Sequence, residues 1–393
     1  MKYDIEKLGP TSILDATHSP REYAVLDRIA SLPGVVPRFI LSPESKFDKK
    51  GELTGYQFET TGDDPVAYPG LVPDNGCGYL LFYLRGLPHL FADWEGLACG
   101  IVNRAGLFSR HRRDVVGDHF LSPGHEGAFY FTIEPRPFLA KLLANPEFRL
   151  MAKQPFGCIL GHFFEIRKVD DDSGDHIGVI HSGSQGMHRL LNNCLHEKYR
   201  YHSRVYGAAL HSEEGQDRKQ AAQFALNYSR ASRFSAYRLL RELFHELHAD
   251  TEIISDVFHS FIDYSENAIR HYRGIQDFAS SLNFVRHPFF LLAGTQRTTS
   301  YLVSPRHANG LMSHGTPERF YSSPGCPGKP APSTLVWFDS FSHDAPDPLL
   351  LESVTAEMLS DLTCGGKVWK AASLLPVVNM QVADGGYRKR AVS

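Results

Sequence analysis

The chain has few cysteines, and they lack the spacings that would make them a framework. Six occur, at 77, 99, 158, 194, 326 and 364, with no CxxC pair. That pattern excludes a disulfide scaffold or a zinc ribbon and points to free thiols in a reducing, cytoplasmic setting. The sequon "NYS" at Asn227 then carries no meaning. No run approaches eighteen apolar residues, and the N-terminus "MKYDIEKLGPTSILDATHS" has no apolar h-region. Neither a membrane span nor a secretion signal is expected. An excess of one charge is missing too. The net charge is -3, so no global basic field advertises nucleic acid, and a local basic face is left open. There is no fixed-period repeat, no low-complexity tract, no Walker loop and no dinucleotide fingerprint.

What is present is the composition of a folded chain, 393 residues long, 42% hydrophobic and 22% charged, enough to bury a substantial core. Short apolar runs punctuated by Pro and Gly ("RFIL", "YLLFYL", "GAFYFTI", "FGCILGHFFEIRKV", "HIGVIHSGSQG") read as strands joined by irregular loops. From about 217 to 273 the apolar spacing approaches three-four, as at Phe234, Tyr237, Leu240, Phe244 and Leu247, which predicts a block of two or three amphipathic helices. Strand character returns over 283–303. A Pro/Gly/Ser-rich loop follows over 304–334, then a helix at "PLLLESVTAEMLSDL" and a strand at "SLLPVVNMQV". No linker divides the chain. The expectation is one α+β domain over 1–393, strands surrounding a central helical block.

Several polar residues sit in apolar or glycine-rich frames. Asp74 and Cys77 lie in "PDNGCG", His162 in "LGHFFE" and His181 in "VIHSGSQG". A lone His in such a frame is usually a hydrogen-bonded core residue. Taken together, and in a chain with twenty histidines, these residues offer a carboxylate, a thiolate and imidazoles. That set suits a divalent transition metal, with the thiolate able to bridge two ions. The ligands are scattered rather than packed into one motif.

Other candidates carry less. "HELH" at His245 to His248 spaces its histidines by three, not the four of HExxH, and reads as a solvated helix face. "SRHRRD" and "GYRKR" are small basic clusters, more readily solvated surface than phosphate contacts. "HSGSQG" and "AGTQRTTS" offer backbone N–H and hydroxyl donors suited to a phosphate.

In order and approximate spacing, "PDNGCG", "GHFFE", "HSGSQG", "AGTQRTTSYLV" and "SHGTPER" resemble the DxGCG, GNHFxE, HSGSRG, PGSMGxxSYLV and HGAGR motifs of the RtcB family of RNA ligases. The resemblance runs from about residue 30 to 382. It implies an RtcB-like fold, with strand-rich layers around a metal-binding cleft. It also implies two Mn²⁺ ions held by Asp74, Cys77, His162 and His181. The fifth ligand, the His of an HN pair, falls on Glu266 beside Asn267, with His271 as the alternative. His314 is the implied nucleophile, preferred over the downstream "SSPGCPGKP", which contains no His. Glu44 of "PESK" stands where an acidic residue orients it. The implied nucleotide contacts are Gly161 (Asn in the family), Glu165, Gly294, Thr295 (a Ser in the family), Ser300 and Gly315. Lys389 is the nearby substitute for a family Lys that falls on Gln381. Pro317 and Glu318 depart from HGAGR, and no room remains for the RKGA block.

The activity implied is GTP- and Mn²⁺-dependent joining of RNA 3′-phosphate or 2′,3′-cyclic phosphate ends to 5′-hydroxyl ends through a histidine–GMP intermediate, in RNA repair or tRNA splicing. Arg110, Arg112 and Arg189 are candidate phosphate contacts. A monomer is the family expectation, no membrane is implied, and an activating partner such as archease is left open. Two alternatives accompany this reading: a paralogue that binds RNA ends without ligating, and a metal-dependent cyclic phosphodiesterase needing no nucleotide.

Overall fold

The apolar run beginning at Cys77 forms a strand at the middle of one large sheet. The computed structural model describes residues 4–8, 20–42, 55–72, 74–87, 97, 128, 131–146, 148, 163–200, 206–265, 267–294, 298–315, 335–339 and 348–382. Within these the strands are β1 (Asp4–Lys7), β2 (Val35–Leu41), β3 (Tyr56–Thr61), β4 (Val66–Ala67), β5 (Cys77–Arg85) and β6 (Phe163–Val169). There follow β7 (His176–Ser182), β8 (Ala208–Ala209), β9 (Asp250–Tyr264), β10 (Ala268–Arg273), β11 (Ile275–Asp277) and β12 (Phe284–Val285). The last are β13 (Phe290–Leu292), β14 (Ser300–Pro305), β15 (Leu311–Ser313), β16 (Leu335–Asp339) and β17 (Val368–Val382). The helices are α1 (Pro20–Ala30), α2 (Pro137–Ala144), α3 (Gln185–Tyr199), α4 (Glu213–Glu246) and α5 (Pro348–Cys364).

The architecture is mixed α/β. Thirteen strands form one sheet with the path β1-β2-β3-β10-β9-β5-β7-β6-β17-β14-β13, to which β12 and β16 add at β9 and β17. The β1–β2 pair is parallel; the central pairs β10–β9, β9–β5, β5–β7 and β7–β6 are antiparallel.

Alternation along β5 explains why both faces of the sheet are covered. Leu80, Phe82 and Leu84 share one face with Phe164, Ile166 and Ile180 and pack against Phe224, Tyr237, Leu240 and Phe244 of α4. Tyr79 and Leu81 point the other way, with Phe163, Ile177 and Val179, and meet Leu291, Leu302 and Leu374. A strand buried on both faces reads as a continuous apolar run, as "YLLFYL" does.

The 34-residue α4 starts where its sequence dictates. Ser212 caps it, its hydroxyl accepting from the Gly215 N–H at 2.9 Å, and Glu213 and Glu214 occupy the positively polarised first turn.

The helical block expected over about 217–273 is corrected here. Helix α4 ends at Glu246, His248 adopts a left-handed φ of 60°, and the chain turns directly into the long strand β9 and then β10. The reason is physical. Buried Ile253, Ile254, Val257, Phe258, Phe261 and Ile262 fall in pairs four apart because β9 is buried on both faces, and that spacing imitates a helix. Over 283–303 and at the two C-terminal elements, the strands and the helix fall where the sequence puts them. No helix among the described residues is long and apolar enough to cross a membrane.

Candidate metal centre

Cys77 opens β5 after a tight turn. Asp74 holds a left-handed φ of 60°, tolerated by a short polar side chain, and the Cys77 N–H returns to the Asp74 carbonyl at 3.0 Å. Gly76 follows at φ 97°, where a Cβ would overlap the Ser229 hydroxyl of α4. On β5, Tyr79 pairs with His181 of β7, which also pairs with Phe163 of β6. Cys77 lies two residues before Tyr79 and therefore faces the same side as His181.

The third member comes from β9. Cys77 pairs with Ser260 and Gly78 with Phe258, so His259 is an extra residue, a β-bulge. Alternation from Val257, which pairs with Tyr79, puts His259 on the Tyr79 side, and the bulge sets both His259 and Ser260 against Cys77. The Cys77 Sγ lies 3.1 Å from His181 Nε2, which lies 3.2 Å from His259 Nε2. All three donor atoms fall within 4.8 Å of one another, and all three residues are buried.

A ring nitrogen carries either one hydrogen or one lone pair. His181 Nε2 can therefore satisfy one of these two neighbours by hydrogen bonding, not both. A shared cation accounts for all three donors at once. Donors held about 2.0–2.3 Å from one ion sit roughly 3–3.5 Å apart, so the spacing fits a transition metal with little adjustment. One thiolate and two imidazoles suit zinc, cobalt, iron or manganese better than magnesium or calcium. The Asp74 carboxylate lies over Gly183, two residues beyond His181: a Cβ there would be 2.6 Å from both carboxylate oxygens.

His314 lies beside this cluster. Its ring centroid is 4.7 Å from that of His259, and Tyr79 lies against His181, His259 and His314 at 4.8, 4.6 and 6.5 Å. Its backbone is held on both sides. The His314 N–H donates to the Gly274 carbonyl at 2.9 Å, and the Tyr79 hydroxyl donates to the His314 carbonyl at 3.1 Å. Gly315 has φ 94°, and a Cβ there would overlap the backbone of Ala293. His314 itself is buried, 6% exposed.

The other described candidates lie around the turn after β13, where the Ala293 N–H donates to the His314 carbonyl at 3.3 Å. Glu165 accepts from Arg167 Nε at 2.7 Å, both side chains buried, and Arg167 Nη1 reaches the Thr298 carbonyl at 2.9 Å. The Ser300 hydroxyl accepts from the Gly294 N–H at 2.8 Å. Among the expected site residues, Glu44, Gly161, His162, Glu266, Thr295 and Lys389 lie outside the described residues, as do Arg110 and Arg112. Arg189 is exposed on α3.

Among the described residues His259 joins Cys77 and His181, and His271 does not. His271 is a buried core histidine. It stacks on Phe58 with ring centroids 4.2 Å apart, and its Nε2 accepts from the Tyr68 N–H at 3.0 Å. Burial pushes its pKa down to about 3. The signal that could have found His259 was available: "VFHSF" frames a lone His much as "VIHSG" frames His181. No protein-family model matches the chain, and no curated protein matches it.

Proposed function

We propose that this chain is a divergent RtcB-like RNA ligase of the cytoplasm, with an RtcB-like fold and a dinuclear Mn²⁺ centre. It joins RNA 3′-phosphate or 2′,3′-cyclic phosphate ends to 5′-hydroxyl ends at the expense of GTP. The observation that carries this reading is the imidazole of His314 packed 4.7 Å from His259, beside the donors of Cys77, His181 and His259. A nucleophile and a metal centre in one buried corner are what phosphoryl transfer through a histidine requires.

Cys77, His181 and His259 would hold the metal, with the Asp74 carboxylate over Gly183, two residues beyond His181. Bound divalent ions supply charge neutralisation at the phosphoryl oxygens. The chain's own residues do the rest. Neutral His314 offers a ring nitrogen to the α-phosphorus of GTP; the N–P bond forms as the bond to pyrophosphate breaks. An RNA 3′-phosphate oxygen then takes the GMP from His314, and attack by the 5′-hydroxyl on the activated 3′-phosphate releases GMP. Tyr79 and Gly274 keep the His314 backbone fixed through these exchanges. Phe163, whose ring lies 4.6 Å from that of His181, and Tyr79 exclude water, which strengthens the electrostatics inside.

One observation favours a second reading. Glu165 is already paired with Arg167 inside the protein, which leaves the site less suited to reading a nucleotide base. A metal-dependent opening of cyclic phosphates without GTP, or RNA-end binding without turnover, fits that corner.

Incubation with Mn²⁺ and α-³²P-GTP separates the readings. The expected result is an acid-labile, alkali-stable label that disappears in His314→Ala. No label on demonstrably metal-loaded protein, with ATP also tried, would overturn the ligase reading. Nucleotide-free opening of a 2′,3′-cyclic phosphate, lost in Cys77→Ala, would establish the hydrolase.

A further inference from the structure

Behind the candidate metal centre, on the opposite face of the sheet, a buried guanidinium holds the backbone of two of its ligands. Arg233 of α4 is 0% exposed. Its Nη1 donates to the Gly76 carbonyl at 2.9 Å and to the Ser182 carbonyl at 2.7 Å. Gly76 immediately precedes Cys77, and Ser182 immediately follows His181. The β5–β7 ladder ends at the Gly78–Ser182 pair. Past that pair Arg233 bridges the Gly76 and Ser182 carbonyls, and the Ser184 hydroxyl donates to the Asn75 carbonyl.

The rest of the guanidinium is anchored to the third ligand's strand. Arg233 Nε and Nη2 donate to the two carboxylate oxygens of Asp256, the latter at 3.1 Å. Asp256 lies on β9, three residues before His259. It pairs with Leu80 and faces α4, and the odd spacing puts His259 on the other face. Arg230 shares the same carboxylate at 2.7 Å and donates to the Leu282 carbonyl. Both guanidiniums lie over the Phe258 ring, 4.5 and 5.0 Å from its centroid. Burial alone would raise the Asp256 pKa, yet the two arginines outweigh it and hold the carboxyl below its usual range.

We propose that Arg233 is the positioning residue of this metal centre, fixing Cys77, His181 and His259 in one register by bridging the strands that carry them. The proposal rests on the metal reading of the Cys77 cluster, not on the ligase reading. Its physical basis is the fork geometry of arginine. Nε and Nη2 grip one carboxylate while the two hydrogens of Nη1 diverge toward two carbonyls. Lysine, a point donor on a flexible stem, keeps the charge and loses the fixed angles. Outer partners of this kind are worth about 10–100-fold in metal affinity.

The test is Co²⁺ titration of the full-length protein, read by thiolate charge-transfer and d–d absorption, with affinity set by a competing chelator. The variants are Arg233→Lys and Arg230→Lys, which perturb the same Asp256, with urea unfolding recorded for each. The expected result is that Arg233→Lys weakens Co²⁺ binding about 10–100-fold and shifts the d–d bands. Arg230→Lys should stay within about twofold of the wild type at a similar cost in stability. Equal losses in both variants, or unchanged affinity in Arg233→Lys, would overturn the positioning role. If Arg233→Lys does not fold, Arg233→Gln removes the fork while Asp256 stays paired with Arg230, so no buried charge is left alone. Retained Co²⁺ affinity in that protein would overturn the proposal, and weakened affinity would support it. A wild type that binds no Co²⁺ through Cys77 overturns the metal reading itself, an outcome distinct from the others.

Discussion

Two buried polar corners of this molecule look alike in sequence and differ in how their groups are used. In the first, Cys77, His181 and His259 bring three donor atoms within 4.8 Å of one another, with His314 alongside. In the second, Glu165 is spent on Arg167 and Ser300 on the Gly294 N–H. The second corner meets its polar needs within the protein, whereas the first converges several metal-favouring atoms on one point. His271 sharpens the lesson: it is as deeply buried as His181, 0% exposed in both cases, yet its ring serves the core. Burial does not mark a site; convergence of donors does.

The largest effect expected in either corner comes from the buried charge behind the first. Asp256→Ala leaves Arg230 and Arg233 without their shared carboxylate and should cost about 3–5 kcal/mol, read as a lowered urea midpoint at unchanged slope. Loss under about 1 kcal/mol would show that water or another carboxylate relieves the arginines. Next comes Glu165→Gln, which breaks the ion pair of the second corner. If that pair is only internal support, stability should fall by about 3 kcal/mol while Co²⁺ affinity stays unchanged. A stable variant that has lost GTP labelling would instead give Glu165 a role toward nucleotide and collapse the contrast between the corners.

The histidine contrast predicts a pH dependence. His271 is held down to about 3 by burial, against roughly 6.5 in the unfolded chain. The unfolded chain therefore takes up a proton below pH 6.5 that the folded protein refuses. Its contribution is complete above that pH and is lost as pH falls toward 3, by about 1.4 kcal/mol per unit. His271→Leu should flatten the fall in stability between pH 6.5 and 4.5 by up to one proton's slope. An unchanged slope would mean that His271 is not kept neutral. The smallest effect belongs to Ser300→Ala, which removes the acceptor of the Gly294 N–H at a cost of about 1 kcal/mol. Its metal affinity should match the wild type; a loss there would tie the two corners together.

Much of the first corner was legible before any fold was known. A thiol among glycines and a histidine closing an apolar strand mark Cys77 and His181; Asp74, marked with them, stands outside the group of three donors. Both strands run as continuous apolar segments, which marks them as buried strands; that β7 rather than β6 lies beside β5 is decided by the sheet order. The second corner was legible only as residue types, because whether Glu165 is spent or available depends on Arg167 and on a carbonyl more than a hundred residues away. His259 was missed because the double-sided burial of β9 gave its sequence a helical spacing.

The sequence by itself determined some local elements: the helix over most of α4, the strands β5, β6 and β7, and the turn that Gly76 permits before Cys77. Short-range sterics and alternation suffice for those. Only the tertiary structure decided which histidine completes the cluster and what holds it. Alternation gives His259 its face, but only the register of β9 on β5 sets it against Cys77. Arg233 acquires its partners from the packing of α4 across the ends of β5 and β7. Both depend on contacts between segments far apart in the chain, where one residue of register decides which side chains meet.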